Sequence, residues 1–253
     1  MIGIYLSGTG NTRHCIEKLT HLLDNTAVVI PIEAAEAVDE IRRNDTIIIG
    51  YPVQFSNVPF MVRDFICTNA RLWKGKRVLC VATMGAFSGD GAGCAARLLK
   101  KYGAVVLGGI HVRMPDSVCD VRLLKKSINE NRKIIIEADK KIEKAATEIQ
   151  KGKYPRDGIT FFSCLLGLFG QRLWFFSKTK GYSNELKIGS NCTGCGLCGK
   201  MCPMKNIEIK GKTAVPGNKC TMCYRCVSYC PQKAITLLGK KVWEQCWFDK
   251  YMP

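Results

Sequence analysis

The chain has 253 residues, 47% of them hydrophobic, and its 38 Lys+Arg against 21 Asp+Glu leave a formal net charge of +17. That length holds one large domain, or one ordinary domain with a small one, and the apolar share excludes a disordered chain. The run IGIYL follows Met1 directly, without the basic and apolar regions of a secretory leader, so the expected compartment is the cytoplasm.

Five short β-branched runs read as strands in chain order: Ile2–Leu6, Ala27–Ile32, Thr46–Gly50, Arg77–Ala82 and Ala104–His111. Between them, TRHCIEKLTHLL, VPFMVRDFICTNA and GAGCAARLLKKYG carry apolar residues at helical spacing, and a long charged helix is expected over Val121–Gln150. Strands alternating with helices imply right-handed crossovers. Residues 1–152 are therefore expected to form a doubly wound α/β domain with a five-stranded parallel sheet. The polar stretch KGKYPRDG, with Gly152, Pro155 and Gly158, marks a boundary.

A linker over 153–187 follows, and its segment ITFFSCLLGLFGQRLWFF is strongly apolar. Gln171 and Arg172 interrupt it, which argues against a membrane span. On a helical wheel Ser163, Gly167, Gly170 and Gln171 form a small or polar stripe against a broad apolar face. Lys151, Lys153, Arg156, Lys178, Lys180 and Lys187 flank it. The segment reads as a helix packed between domains, with contact to a membrane surface or a partner through residues 159–176 as the alternative. Residues 188–240 turn to Cys, Gly and Lys, too few for a core without metal. A tail, 241–253, closes the chain.

Eight of the 15 cysteines fall in two runs, Cys192, Cys195, Cys198, Cys202 and Cys220, Cys223, Cys226, Cys230, each ending in Cys-Pro. Both read C-x2-C-x2-C-x3-C-P. The spacing suits an iron–sulfur cube, whose three corners come from one tight loop and whose fourth comes from elsewhere. The x3 gap and the proline turn the last sulfur toward the neighbouring cluster. Cys192, Cys195, Cys198 and Cys230 are then expected to hold one [4Fe–4S] cluster, and Cys220, Cys223, Cys226 and Cys202 the other. Zinc ribbons use separated C-x2-C pairs, so zinc fits poorly. Cys15, Cys67, Cys80, Cys94, Cys119, Cys164 and Cys246 are scattered and read as small buried hydrophobes.

LSGTGNTRH, after the first strand, places backbone N–H groups at a helix start, a ready anion site. Ser7, Thr9, Asn11 and Thr12 add side-chain donors around Gly10. The later GDGAG mimics a dinucleotide fingerprint but follows the fourth strand, with no acidic residue at the right distance, so it is discounted.

The S-x-T-G-N-T pattern resembles the phosphate loop of flavodoxins, and residues 188–238 resemble a bacterial dicluster ferredoxin. Together they resemble a family of fused flavodoxin–ferredoxin proteins of anaerobic bacteria and archaea. The resemblance implies FMN and two [4Fe–4S] clusters, strand order 2-1-3-4-5, and a small α+β second domain. It places the flavin ring at YPVQFSN and TMGAFSGDGAG. The expected ring-loop residues are Tyr51, Pro52, Val53, Phe55, Thr83, Met84, Gly85, Phe87 and Gly89. FSGDGAG lacks the aromatic that flavodoxins usually carry there.

An electron-transfer role between FMN, the clusters and an external redox protein is the preferred reading. The alternative is a flavin-dependent oxidoreductase that reduces a small molecule such as a quinone, fed by the clusters. Against it, the flavin loops hold no histidine or paired carboxylates for acid–base work. The basic balance suits an acidic redox partner as well as it suits nucleic acid, for which the chain shows no motif.

Overall fold

A computed structural model describes residues 1–169, Leu173 and 182–252. Five parallel strands, β1 (Ile2–Tyr5), β2 (Val28–Pro31), β3 (Thr46–Pro52), β4 (Arg77–Met84) and β5 (Val105–Arg113), form one sheet in order β2-β1-β3-β4-β5. Ile2 pairs with Val28 on one side and Ile47 on the other, and Thr46 pairs with Arg77. An extra residue in β5 shifts its register against β4 between Val78 and Leu79.

The sheet is covered on both faces, and its side chains alternate accordingly. Ile47, Ile49, Tyr51, Val78, Cys80 and Ala82 face one core with α3 (Phe60–Thr68) and α4 (Gly91–Lys101). Ile48, Leu79, Val81 and Val112 face the other with α1 (Asn11–Leu23) and α5 (Ile128–Gln150). A short helix missed by the periodicity, α2 (Ala37–Arg43), links β2 to β3.

The long fifth helix begins at Ile128, not Val121. Ser127 caps it in a reciprocal box, accepting from the Glu130 N–H while Glu130 accepts from the Ser127 N–H. The residues before the cap instead run a loop, 114–120, across the carboxyl ends of the strands.

The linker lies along the sheet. The Gly109 N–H donates to the Pro155 carbonyl and the Asp157 N–H to the Gly109 carbonyl, both at 2.9 Å. Next comes α6 (Phe161–Gly167), capped by Thr160. Its orientation reverses the expectation from its apolar face: Phe161 and Phe162 are 74% and 76% exposed, while Gly167 packs on Asp90. Gly170, Gln171, Arg172, Lys178 and Lys180 lie outside the described residues. Among the described residues, no helix is long and apolar enough to cross a membrane.

The C-terminal part has two small antiparallel pairs: β6 (Lys187–Ile188) with β9 (Ile235–Thr236), and β7 (Ile207–Lys210) with β8 (Thr213–Pro216). Helices α7 (Leu197–Met201) and α8 (Arg225–Tyr229) sit between them. The tail returns to the sheet, where Phe248 and Tyr251 join the α1–α5 core.

Candidate functional site: two thiol chambers against a phosphate loop

Leu6, buried after β1, delivers the chain into the loop Ser7–Thr12, of which Ser7, Thr9, Asn11 and Thr12 are all buried. Gly10 takes a left-handed φ of 94°, and its N–H donates to Ser7 Oγ at 3.1 Å. Helix α1 then starts without a side-chain cap and without an acidic residue in its first turn, so its N-terminal N–H groups and dipole face the loop.

The loop after β5 completes this cradle. Thr9 Oγ1 and Ser117 Oγ are 2.8 Å apart, Asn11 Nδ2 donates to the Pro115 carbonyl at 2.7 Å, and Thr12 Oγ1 meets Thr83 Oγ1 at 2.8 Å. Asn11 Oδ1 is buried and has no hydrogen-bond partner among the described residues. Such an orphaned acceptor beside hydroxyls and open N–H groups fits a polyhydroxylated phosphate ester, and FMN is one. Ser7, Thr9, Asn11 and Thr12 would hold its phosphate and the start of its ribityl chain.

The two expected ring loops meet at the same edge. The Val53 N–H donates to the Thr83 carbonyl at 2.8 Å, and Phe55 and Ser56 both take left-handed backbone (φ 50° and 56°) in a tight turn closed between Gln54 and Asn57. Methyl groups on Gly89 and Gly91 would strike Ser56 and Val53, so the loops touch. Phe87 is exposed, Phe55 is half-buried, and Pro52 and Met84 end their strands.

Tyr51 corrects the expectation of a ring contact. It is fully buried in the core and its hydroxyl donates to the Gly91 carbonyl at 2.7 Å. Its position inside β3 turns the ring into the sheet–helix layer and away from the loop surface.

The GDGAG stretch is structural. Asp90 pairs with Arg97, and a methyl on Gly93 would strike the Gly158 carbonyl. Asp116, unnoticed in the sequence, lies against Gly85, and burial pushes its carboxyl above the ordinary value.

The cysteine runs form two chambers. One is lined by Cys192, Cys195, Cys198, Cys226 and Cys230. The other is lined by Cys202, Cys220, Cys223 and Cys226.

The thiols accept backbone N–H groups in matching places. The Asn206 N–H reaches Cys202 Sγ at 3.3 Å and the Ala234 N–H reaches Cys230 Sγ at 3.4 Å, each four residues on. The Ala214 and Met222 N–H groups reach Cys192 and Cys220 at 3.4 Å. Such bonds favour sulfur carrying negative charge. Burial pushes the Cys223 thiol up to about 11 and raises Cys220 and Cys226 as well. Both donor sets therefore fit iron–sulfur clusters.

The second chamber sits on the phosphate loop. A methyl on Gly8 would lie 1.7 Å from the Cys223 carbonyl oxygen. Gln54 Nε2 donates to the Thr221 and Met222 carbonyls at 2.8 and 3.3 Å. Arg225 donates to the Ser7 carbonyl at 2.8 Å and pairs with Glu33 at 2.6 Å.

Asp120 locks this seam. One oxygen accepts the Leu237, Leu238 and Gly239 N–H groups at 2.6, 2.9 and 3.0 Å, and the other accepts the Tyr224 hydroxyl at 2.9 Å. Asp120, Ser117, Gln54, Arg225 and Glu33 carry no motif. A buried-carboxylate role for Asp120 shows only once the loop is seen to cross the strand ends.

Residues 2–150 match the flavodoxin domain family, and residues 185–231 match the 4Fe-4S dicluster domain. None of the curated proteins matches the chain. Among solved structures, a two-electron reduced Megasphaera elsdenii flavodoxin is 24% identical, covering 58% of this chain and 99% of that one, with a TM-score of 0.43. Flavodoxin 2 from Bacillus cereus is 18% identical, covering 60% and 97%, with a TM-score of 0.44. A flavodoxin from the domain Archaea is likewise 18% identical, covering 59% and 97%, with a TM-score of 0.42. The chain belongs to the flavodoxin domain family, with a 4Fe–4S dicluster domain following it, and is an FMN and iron–sulfur redox protein.

Proposed function

We propose that this chain relays electrons between FMN and an external redox protein, through the chamber of Cys202, Cys220 and Cys223 (the inner one) and then that of Cys192, Cys195 and Cys198 (the outer one). The observation that carries the reading is the placement of residues 221–223, which lie on the phosphate loop and the first ring loop at once, at Gly8 and at Gln54. FMN exchanges one or two electrons and each cluster exchanges one, so the pairing joins a two-electron store to one-electron traffic.

The chain's own residues fix the distances. Arg225 ties α8 to the Ser7 carbonyl and also reaches the Met201 carbonyl at 3.1 Å, so one side chain spans both cysteine runs and the phosphate loop. Asp120 holds Tyr224 and the turn after β9. With both contacts in place, transfer between the modules is intramolecular and needs no diffusive encounter.

The outer end has a different character. Cys195 is exposed, and the same module carries exposed Lys187, Lys200, Lys210, Lys212 and Lys233, of which Lys187 and Lys210 pair with Glu185 and Glu208. A basic rim of this kind steers an acidic redox protein to the outer chamber.

The test is a stopped-flow comparison of the native protein with Cys226→Ser, using a reduced acidic ferredoxin as donor under anaerobic conditions. Cys226→Ser should keep FMN, yet its flavin reduction should slow on the order of tenfold or more as the inner relay is lost. Equal rates in the two proteins would overturn the relay.

A further inference from the structure

The two cysteine runs repeat one pattern, so their side chains can be compared place by place. Thr193 and Thr221 each follow the leading cysteine, yet Thr193 is exposed, whereas Thr221 is 5% exposed and lines the inner chamber. Asn206 and Ala234 stand four residues after Cys202 and Cys230. Their backbone N–H groups reach those sulfurs alike. Their side chains differ, because Asn206, 4% exposed, lines the inner chamber with an amide where Ala234 has only a methyl.

The inner chamber therefore carries two polar groups that the outer one lacks. Thr221 Oγ1 and Asn206 Nδ2 are both buried and have no hydrogen-bond partner among the described residues. The amide is oriented from the other side: its Oδ1 accepts the Lys219 N–H at 2.6 Å, and an N–H can bond only to the oxygen, so Nδ2 is the free end. Buried donors are costly to leave bare, and in a chamber of cysteines the acceptor that suits them is the sulfur of an iron–sulfur cluster.

We propose that Asn206 Nδ2 and Thr221 Oγ1 donate hydrogen bonds to the cluster held in the inner chamber and raise its midpoint potential. A donor aimed at sulfur stabilises the more negative, reduced form. The inner site needs this more than the outer. Water reaches exposed Cys195 in the outer run, whereas none of Cys202, Cys220, Cys223 and Cys226 is exposed. Burial alone would make the inner site the harder one to reduce. Among the described residues Arg225 is the one cation lining either chamber, and Glu33 offsets it at 2.6 Å, so the two side-chain donors carry the difference.

Their place in the fold gives the donors a consequence for the relay. The Thr221 carbonyl accepts from Gln54 at 2.8 Å, so this residue joins the inner chamber to the first ring loop. One electron lost at the outer site is gained at the inner one, with no bond or proton exchanged, and the two donors keep that step from running uphill. This consequence rests on the proposed relay, whereas the hydrogen bonds require only the clusters.

The test is a potentiometric titration of anaerobically purified holo-protein, read by low-temperature EPR with iron assayed in each sample. Thr221→Val, which keeps the shape and loses the hydroxyl, should lower one midpoint by about 59 mV, a tenfold shift of a one-electron equilibrium. Asn206→Ala should lower the same midpoint, Thr221→Ser should hold it in place, and Thr193→Val should move neither. The midpoint that moves should be the one missing from Cys202→Ser. Unmoved midpoints in Thr221→Val at full iron, or movement of the other midpoint, would overturn the donors; if that variant holds less iron, Thr221→Ala decides by the same criterion. Flavin reduction by a reduced acidic ferredoxin should slow several-fold in Thr221→Val. A lowered midpoint with an unchanged rate would uphold the hydrogen bonds and refute only the relay.

Discussion

In the first cysteine run the places two and four residues after the leading cysteine are Gly194 and Gly196, with φ of 65° and 78°; in the second they are Met222 and Tyr224, at 54° and 60°. Lys205 and Lys233 repeat the match three residues after Cys202 and Cys230, at 48° and 50°. The backbone path is thus the same in both halves, and the residues differ. A side chain in that region costs on the order of 1 kcal/mol relative to glycine.

The second half tolerates the cost because its loop is the seam. Tyr224 supplies the hydroxyl bound by Asp120, and the Met222 carbonyl accepts from Gln54. In the first half Gly196 is open, and Gly194 lies against the Lys212 backbone, where a side chain does not fit. Two halves with one ligand pattern have therefore diverged according to what each one touches.

The largest test of this comparison removes the crossed ligands. Cys202→Ser should cost the inner cluster and Cys230→Ser the outer, each leaving about half the iron. Iron assay with low-temperature EPR reads which centre survives. Loss of the cluster from the run that carries the mutation would show that each run closes on itself.

Next in size is the seam itself. Asp120→Ala leaves three N–H groups and a phenol without their acceptor, and should lower the stability of the holo-protein by about 3 kcal/mol or more. Thermal unfolding measures it, and a loss within about 0.5 kcal/mol would place the joint between the halves and the sheet elsewhere.

A smaller effect separates the left-handed positions. Gly194→Ala should destabilise by about 1–2 kcal/mol, because a methyl there also meets the Lys212 backbone at 2.7 Å. Met222→Gly should cost nothing or stabilise by up to about 1 kcal/mol by releasing strain. Denaturant midpoints of the two variants should move in opposite directions.

The smallest effect lies outside both halves and serves as their control. Burial lowers the His111 imidazole below its ordinary 6.5, and its Nε2 accepts from the Ala92 N–H at 3.3 Å. The unfolded chain then binds the proton first, so this contribution is whole above pH 6.5 and is lost as pH falls from there toward the folded value. His111→Gln should flatten that slope in pH-dependent melting curves without touching either chamber.

Much of this architecture is legible in the sequence, for definite reasons. The unbroken apolar runs at Thr46–Pro52 and Arg77–Met84 reflect two covered faces, and the x2-x2-x3 spacing reflects a cube. What escapes is everything made by residues with ordinary spacing. Asp120 looks like a surface acid until three N–H groups converge on it. Tyr51 reads as a loop aromatic because its burial depends on α4, 40 residues on. The apolar face of α6 suggests burial, yet it is Gly167 that lets the helix approach Asp90. Periodicity records which side is apolar, and close approach decides which side packs.

The linker's course along β5 bears on how this protein is divided. Arg156 bridges to Gly109 as a parallel neighbour, and the Asp157 carboxylate accepts the His111 N–H at 3.1 Å. That stretch works as a selvage, finishing the outer border of a sheet that would otherwise offer unpaired N–H and C=O groups to any other strand. Cutting the chain at residue 152, where glycine and proline suggest a boundary, strips the border away and leaves a flavodoxin unit with a raw edge.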